Sequence, residues 1–456
     1  MADHVGFLKT NTSDTFWEKR AKCALCRSTA LDEVMSLAPT PPANEFVKDP
    51  TIAQDRIPLT LLLCQACGHV QLREIVSPSR LFENYVYVSG TSASFVRHFK
   101  DYARECSGRF KPEEHDLIVD IGSNDGTLLR AWRHLGAENT LGIEPARKIA
   151  ETARSSGVDT ICEFFTPELS RKIREERGPA KIITGNNVFA HTEDLLAFGE
   201  AVKILLGPQG VFVFEVSYLG NVIQDLLFDT IYHEHSSYHA LAPLISFFSK
   251  ELGLHVFDAE KIPTHGGSLR VYVSPEYHPP YLSVACVLAE ERKLGLDKKE
   301  TYRNFKERIS QKGLALRSHI KKIREEGHRI AGYGAPAKLT TLVYEMGINP
   351  FDIEFIVDDS PWKQGLYTPG YHVPVLPVSA LYDSETEVTY KTFNSTYDKF
   401  KENKIKKCDY TIIFAWNFAD VIIKTHREYI KQGGTFISPF SHIPYKLSPF
   451  DGKELP

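Results

Sequence analysis

Two groups of side chains in this 456-residue chain have the types and the spacing to do chemistry. The first is two tight thiol pairs, Cys23-Ala-Leu-Cys26 and Cys64-Gln-Ala-Cys67. Two thiols on each of two turns can close a tetrahedral site around zinc, and four sulfurs fill that coordination sphere, so the metal would be structural. The gap between the pairs exceeds the usual ribbon spacing, but loop-closure entropy grows only logarithmically with length. A redox dithiol is the competing reading, and it would need only one pair. Cys106, Cys162, Cys286 and Cys408 stand singly and read as small core hydrophobes.

The second group is Tyr232-His233-Glu234-His235-Ser236-Ser237-Tyr238-His239. His235 and His239 are four apart and would share a helix face, which suits two ligands of a second metal. A polar surface turn is another reading. The third is acid–base chemistry: histidine titrates near neutrality, and a nearby carboxylate can orient it.

Folded elements must hold these groups, and composition bounds what they are. At about 100–200 residues per domain the length predicts roughly three domains. Lys plus Arg is 54 and Asp plus Glu is 58, a formal charge of −4, which removes the electrostatic reason to expect a nucleic-acid or membrane-surface partner. Hydrophobic residues are 42 % and charged residues 25 %, enough for each domain to bury a core. No apolar run reaches signal-peptide or membrane-span length, so a cytoplasmic location is expected. Residues 1–78, short in apolar runs and proline-rich at 39–44, read as a metal-stapled module. Strands alternate with helices from Asp116, so residues 79–277 read as an α/β unit with a helical segment in front, where Phe95, Phe99 and Tyr102 mark one helix face. Residues 278–327 are charged and helical, a linker, and a second α/β unit is placed at 328–456.

The first α/β unit opens with a strand, a glycine turn and a helix start in Val119-Asp120-Ile121-Gly122-Ser123-Asn124-Asp125-Gly126-Thr127. In a doubly wound sheet such a turn faces the ligand crevice. Asn124 and Asp125 interrupt the dinucleotide fingerprint, and an acidic group there repels pyrophosphate but accepts from an ammonium such as that of S-adenosylmethionine. Glu144 ends the next strand about 20 residues on, where an acidic side chain meets a ribose diol. Phe164 or Phe165 is placed to stack on adenine, and Asn186 and Asn187 lie at the carboxyl edge of the sheet. The second unit repeats the logic with Gly332-Tyr333-Gly334-Ala335-Pro336-Ala337-Lys338, Pro336 suiting a first helical turn. Gly334 and Lys338 make a diphosphate seat, Asp358 stands at the ribose position, and Lys363 and Trp416 are further candidates for the substrate crevice. A lone G-x-G also leaves a nicotinamide-dinucleotide domain open. His265-Gly266-Gly267-Ser268-Leu269-Arg270 reads as a glycine turn whose chemistry does not follow from its residues.

The ordered set IGSNDGTLL, IEP, NNVFAH, YHEHSSY and HGGSLR, with the cysteine module in front and GYGAPAK behind, resembles the S-adenosylmethionine-dependent sugar C-methyltransferases that act on nucleotide-linked keto-sugars. The resemblance runs over residues 20–440. It implies a small N-terminal zinc module, a central Rossmann-like class I methyltransferase domain and a C-terminal Rossmann-like α/β domain that helps hold the sugar nucleotide. It also matches Tyr232, Glu234, His235 and His191 to active-site residues, and the segment with Tyr85, Tyr87 and Ser89 to a sugar-side tyrosine and serine, Tyr87 being favoured. The implied reaction is C-methylation of a nucleotide-linked 4-keto-deoxyhexose at carbon 3, with carbon 5 as the alternative, through an enolate. His235 is then the base, Glu234 orients or polarises it, and Tyr232 and His191 stabilise the enolate oxygen. A zinc-containing RNA methyltransferase and a tandem Rossmann NAD-dependent oxidoreductase are the rival readings. The expected partner is the nucleotide sugar, with no nucleic acid or membrane, and the chain is expected as a monomer or weak homo-oligomer.

Overall fold

The apolar run Leu117–Ile121 is buried at every position, as a strand covered on both faces must be. It lies inside a seven-stranded sheet in a computed structural model that describes residues 16–82, 90, 93–382, 389–394, 399–404 and 406–440. Tyr85, Tyr87 and Ser89 fall outside the described residues. On one side of Leu117–Ile121 lie Thr140–Ile143 and Thr160–Ile161, and on the other Ala180–Asn186 and Leu206–Ser217, all parallel. Ser268–Ser274 then runs antiparallel to Leu206–Ser217, and His255–Ile262 closes the edge. The chain therefore leaves Leu117–Ile121 in one direction and later returns on its other side, and the crevice at that reversal opens at the strands' carboxyl ends. Helix Ala93–Phe110 covers this sheet with Phe95, Phe99 and Tyr102 buried.

A second parallel sheet has the order Val375–Leu376, Ile356–Val357, Ile330–Tyr333, Tyr410–Ile413, Thr435–Ile437, again with its first strand in the middle. The charged stretch between the two units forms two helices, Leu282–Leu294 and Lys299–Glu325, parted at Gly295 with φ of 62°. The second helix does more than link. Its Phe305 and Ile309 belong to one apolar cluster with Leu59, Leu61 and Leu63 of the N-terminal module and Leu339 and Leu342 of the C-terminal unit. No described helix is long and apolar enough to cross a membrane.

The N-terminal module is an antiparallel sheet of Leu31–Thr40, Ile57–Cys64 and Val70–Leu72, and its fourth strand, Ser237–Tyr238, comes from far along the chain. Each cysteine pair sits on a turn closed by backbone bonds, Arg27 N to Cys23 O at 3.0 Å and Gly68 N to Cys64 O at 2.8 Å. The four sulfurs lie within 4.8 Å of one another, with Cys23 to Cys67 at 3.7 Å and Cys26 to Cys64 at 3.6 Å. Zn–S bonds of about 2.3 Å in a tetrahedron require sulfurs roughly 3.8 Å apart, whereas a disulfide needs about 2.05 Å. The donor set thus fits one tetrahedral zinc. Replacing Cys64 by Ser is expected to abolish stoichiometric zinc by elemental analysis and to lower the unfolding temperature; unchanged metal content would refute the assignment.

Candidate active site

Both sheets and the module wall a single cavity of about 1200 Å³, into which Asp120, Glu144, Tyr232, His235, Lys338 and Asp358 all reach. Its first end is the turn after Leu117–Ile121. Gly122 has φ of 65°, and a Cβ there would lie 2.3 Å from Val188, so only glycine lets the backbone pass so close. The Glu144 carboxylate accepts from Asn124 N at 3.0 Å and Ala146 N at 2.8 Å, which leaves two of its lone pairs for a ligand. Burial lifts the Glu144 carboxyl above its usual value. Phe164 lines this end and is 55 % exposed, an aromatic side chain open to a flat ring. Both side-chain polar atoms of Asn186 face the cavity region buried and without a hydrogen-bond partner among the described residues, and Asn187 lines the wall beside it. A buried amide with unmet bonds at this crevice fits a polar ligand such as the amino-acid end of S-adenosylmethionine.

The acidic side chain at that end is Asp120. It lines the cavity, accepts from Thr184 Oγ1 at 2.7 Å, and is pushed up to about 7, chiefly by burial. Asp125 turns away and is used by the fold, accepting from Thr127 Oγ1 at 2.6 Å and pairing with Arg130 at 3.2 Å. Gly126 likewise stands outside the wall, capping helix Thr127–His134 with φ of 78°.

The middle of the cavity belongs to the segment around His235. This segment is not helical, so His235 and His239 diverge: His239 is buried and stacked on Phe189 at 5.1 Å, while His235 faces the cavity. The second-metal reading therefore has no geometry, and the four cysteines are the metal-type cluster found among the described residues. His235 Nδ1 lies 2.8 Å from the Thr230 carbonyl, and a carbonyl only accepts, so the proton sits on Nδ1. Nε2 is then the basic nitrogen, accepting from the Tyr232 hydroxyl at 3.0 Å. His191 meets the same ring edge-on at 4.9 Å. Burial pushes His235 down to about 4, so the imidazole is neutral near pH 7. Glu234 accepts from Asn44 Nδ2 at 2.7 Å and is pushed up to about 7 by burial. The partner that orients His235 is thus the Thr230 carbonyl, while Glu234 is bonded to Asn44.

The backbone here is fixed from three sides. Ser237 and Tyr238 pair with Gln71 and Val70 of the module, Thr341 Oγ1 of the C-terminal unit donates to Ile231 O at 2.8 Å, and Ser236 Oγ donates to Ala190 O at 3.3 Å. His233 points into the module and donates to Pro58 O at 3.2 Å.

The far end is the turn after Ile330–Tyr333. Gly334 has φ of 84° and a Cβ there would lie 2.5 Å from Ala415. Asp358 accepts from Ala335 N at 2.6 Å and Ser360 N at 2.8 Å, and Lys363 Nζ donates to Ala335 O at 2.8 Å. Pro336 precedes rather than enters the helix, which begins at Lys338. Trp416 is not itself a wall residue; its Nε1–H donates to Asp229 Oδ2 at 2.6 Å.

Sequence reasoning gave no role to His265, Tyr333 or His426, and it placed Asp359 beside Asp358 at the ribose position. His265 lines the cavity with φ of 56°, its ring 4.7 Å from that of Phe95. Tyr333 donates to Asp359 at 3.1 Å and lies 2.9 Å from His426 Nε2, all three lining the far end. The signal for His265 was its glycine-rich motif, whose other members now have reasons. A Cβ on Gly266 would meet Trp416 at 2.7 Å, so glycine lets the two α/β units close, and Arg270 holds the sheet by binding Glu215 at 2.8 Å and Glu105 at 2.7 Å.

Comparison with known proteins agrees with this architecture. Residues 23–82 match a family model described as "Putative zinc binding domain", residues 95–256 one described as "Methyltransferase domain", and residues 263–391 and 397–441 one described as "C-methyltransferase C-terminal domain". The C-methyltransferase NovU of Streptomyces niveus is 32 % identical over 422 residues, 92 % of this chain and 95 % of that protein. A methyltransferase structure from Anabaena variabilis (13 % identity, 39 % of this chain, 94 % of that one, TM-score 0.30) and magnesium protoporphyrin IX methyltransferase from Synechocystis (13 %, 40 %, 83 %, TM-score 0.32) are too distant to carry any part of the argument. With the three family regions in the same order as the three structural units, and a relative aligned across nearly all of it, the chain belongs to the family of S-adenosylmethionine-dependent C-methyltransferases.

Proposed function

We propose that this enzyme methylates a carbon beside the ketone of a nucleotide-linked 4-keto-deoxyhexose, at carbon 3, with carbon 5 as the alternative site of the same chemistry. One observation carries the reading: a single cavity joins two sheet edges of the nucleotide-binding kind, with a neutral histidine between them. The cofactor end supplies Gly122, Glu144, Phe164 and Asn186. The far end offers the Gly334 turn, Asp358 and Lys363 to a nucleotide diphosphate. A sugar bridging the two would lie against His235.

S-adenosylmethionine, when bound, supplies an electrophilic methyl group to a carbon nucleophile. The protein's task is to make that nucleophile. His235 Nε2 takes the proton from the carbon next to the ketone, and the Thr230 carbonyl, already holding Nδ1–H, stabilises the imidazolium that forms. Tyr232, now donating to Nε2, is released when that nitrogen takes up the proton and can donate to the enolate oxygen instead. His191, neutral through burial, stands beside the same ring as a second donor. Glu234 in its ionised form favours the imidazolium through space.

Incubation with S-adenosylmethionine and a panel of dTDP- and GDP-linked 4-keto-sugars is expected to add one methylene unit to one of them by mass spectrometry; no gain across the panel overturns the substrate. His235→Asn is expected to lower methyl transfer by about 10²–10⁴ while cofactor affinity by calorimetry is retained. Near-wild-type turnover would remove His235 as the base. Because burial lifts Glu234 to about 7, its ionised form is lost as pH falls through that value, and the rate is expected to fall on the acid side of about pH 7. His235, pushed down to about 4, is already neutral there. Glu234→Gln should flatten this limb of the pH profile, and a limb that persists assigns it to another group.

A further inference from the structure

Lys338 opens helix Lys338–Glu345 of the C-terminal unit and lines the cavity. Nζ is buried, has no hydrogen-bond partner among the described residues, and lies 4.0 Å above the Trp416 ring. That ring is itself anchored to the methyltransferase unit through Asp229, and Lys338 lines the same cavity as His235 and His265; its charge lowers both imidazoles further and favours the Asp229 carboxylate. Asp229 is fully buried and gives one oxygen to Trp416, but it makes no direct ion pair with Lys338. Lys363, by contrast, is already bonded to the Ala335 carbonyl at the turn where a diphosphate would sit. The two lysines that line the cavity are therefore in different situations: one bonded at the turn, one without a hydrogen bond among the described residues.

Burial lowers the Lys338 ammonium below its ordinary value, opposed by the Asp229 charge, and the same low-polarity surroundings make its charged form a strong partner for an anion that arrives or forms beside it. We infer that Lys338 is a catalytic residue of the enolisation step, its ammonium pairing with the enolate oxygen that develops next to His235. The inference rests on the keto-sugar reading above and reassigns Lys338 from the diphosphate seat to the reacting ketone. In that step a C–H bond beside the ketone breaks and its proton goes to His235 Nε2. The electron pair it leaves forms the carbon–carbon double bond, and the carbonyl π pair moves onto oxygen. One negative charge appears on that oxygen and one positive charge on the imidazole. Lys338 meets the first and Glu234 the second, so the C-terminal unit takes part in the chemistry as well as in binding.

Enolisation can be read without methyl transfer, as deuterium uptake from D₂O by the keto-sugar nucleotide with S-adenosylhomocysteine in the cofactor site. Wild-type protein is expected to exchange the hydrogen next to the ketone. Lys338→Met, close in shape and uncharged, is expected to exchange it about 10²–10³-fold more slowly at saturating sugar nucleotide, with unchanged affinity for it by calorimetry. Lys338→Gln, which keeps a polar group in the buried position, is the second variant should methionine not be accommodated, and is expected to show the same loss. Exchange at the wild-type rate in a folded variant overturns the assignment, and weaker nucleotide-sugar binding with undiminished exchange at saturation returns Lys338 to the diphosphate. Wild-type protein that exchanges no member of the keto-sugar panel overturns the substrate reading and this inference with it.

Discussion

The segment Ile231–His239 is held by every part of the molecule, and the site depends on that. It is a strand of the zinc module's sheet, it accepts a hydrogen bond from the C-terminal unit, and it is bonded to the loop that carries His191. A side chain that is to act on one atom of a bound ligand has to be placed to within about half an ångström. No single unit could fix a short irregular segment so closely, because its own backbone bonds are too few. Three partners do it together. This also gives the zinc module its place in the enzyme: the thiol site stands away from the cavity, but the sheet it staples is the one that Ser237 and Tyr238 join.

Burial sets the charges. The cavity's histidines are driven toward neutrality and its carboxyls toward protonation, since a charged form in a dry site loses its hydration without full compensation. A neutral imidazole with its proton fixed on Nδ1 is ready to accept a proton at Nε2 before substrate arrives. Such a base is weak in the empty site. The Lys338 charge weakens it further, so on the proposal above the ammonium acts on the enolate oxygen and not on the imidazole.

The module's own apolar runs are short, and the chain solves this by sharing. Leu59, Leu61 and Leu63 pack into one cluster with the long helix and with the helix that begins at Lys338. A shared core couples the units' positions, so the distance from the Gly334 turn to His235 is set by packing rather than by a flexible linker. Gly266, with φ of 91°, lets Trp416 approach where any side chain would hold the units apart, and Gly267, with φ of 130°, lets Asn221 approach within the first unit.

Much of this was legible in the chain itself. Thiol pairs three residues apart on tight turns, apolar runs of strand length and glycine turns at strand ends are local patterns, and each fixes its own geometry through bond lengths and backbone sterics. They led to the cysteine cluster, the two α/β sheets and the glycine turn at the cavity's edge. What a side chain faces is another matter. Asp120 and Asp125 sit five residues apart in one motif, and only the fold decides that the first borders the cavity while the second binds Arg130. His265 enters the site, His239 leaves it, and Lys338 meets a tryptophan bound to Asp229, whose partner lies 187 residues away in the chain. The sequence alone determined which local structures form, because their energetics are settled by near neighbours. The tertiary structure decided which groups share a dry cavity, because burial and the electrostatics that follow from it are set by residues distant in sequence.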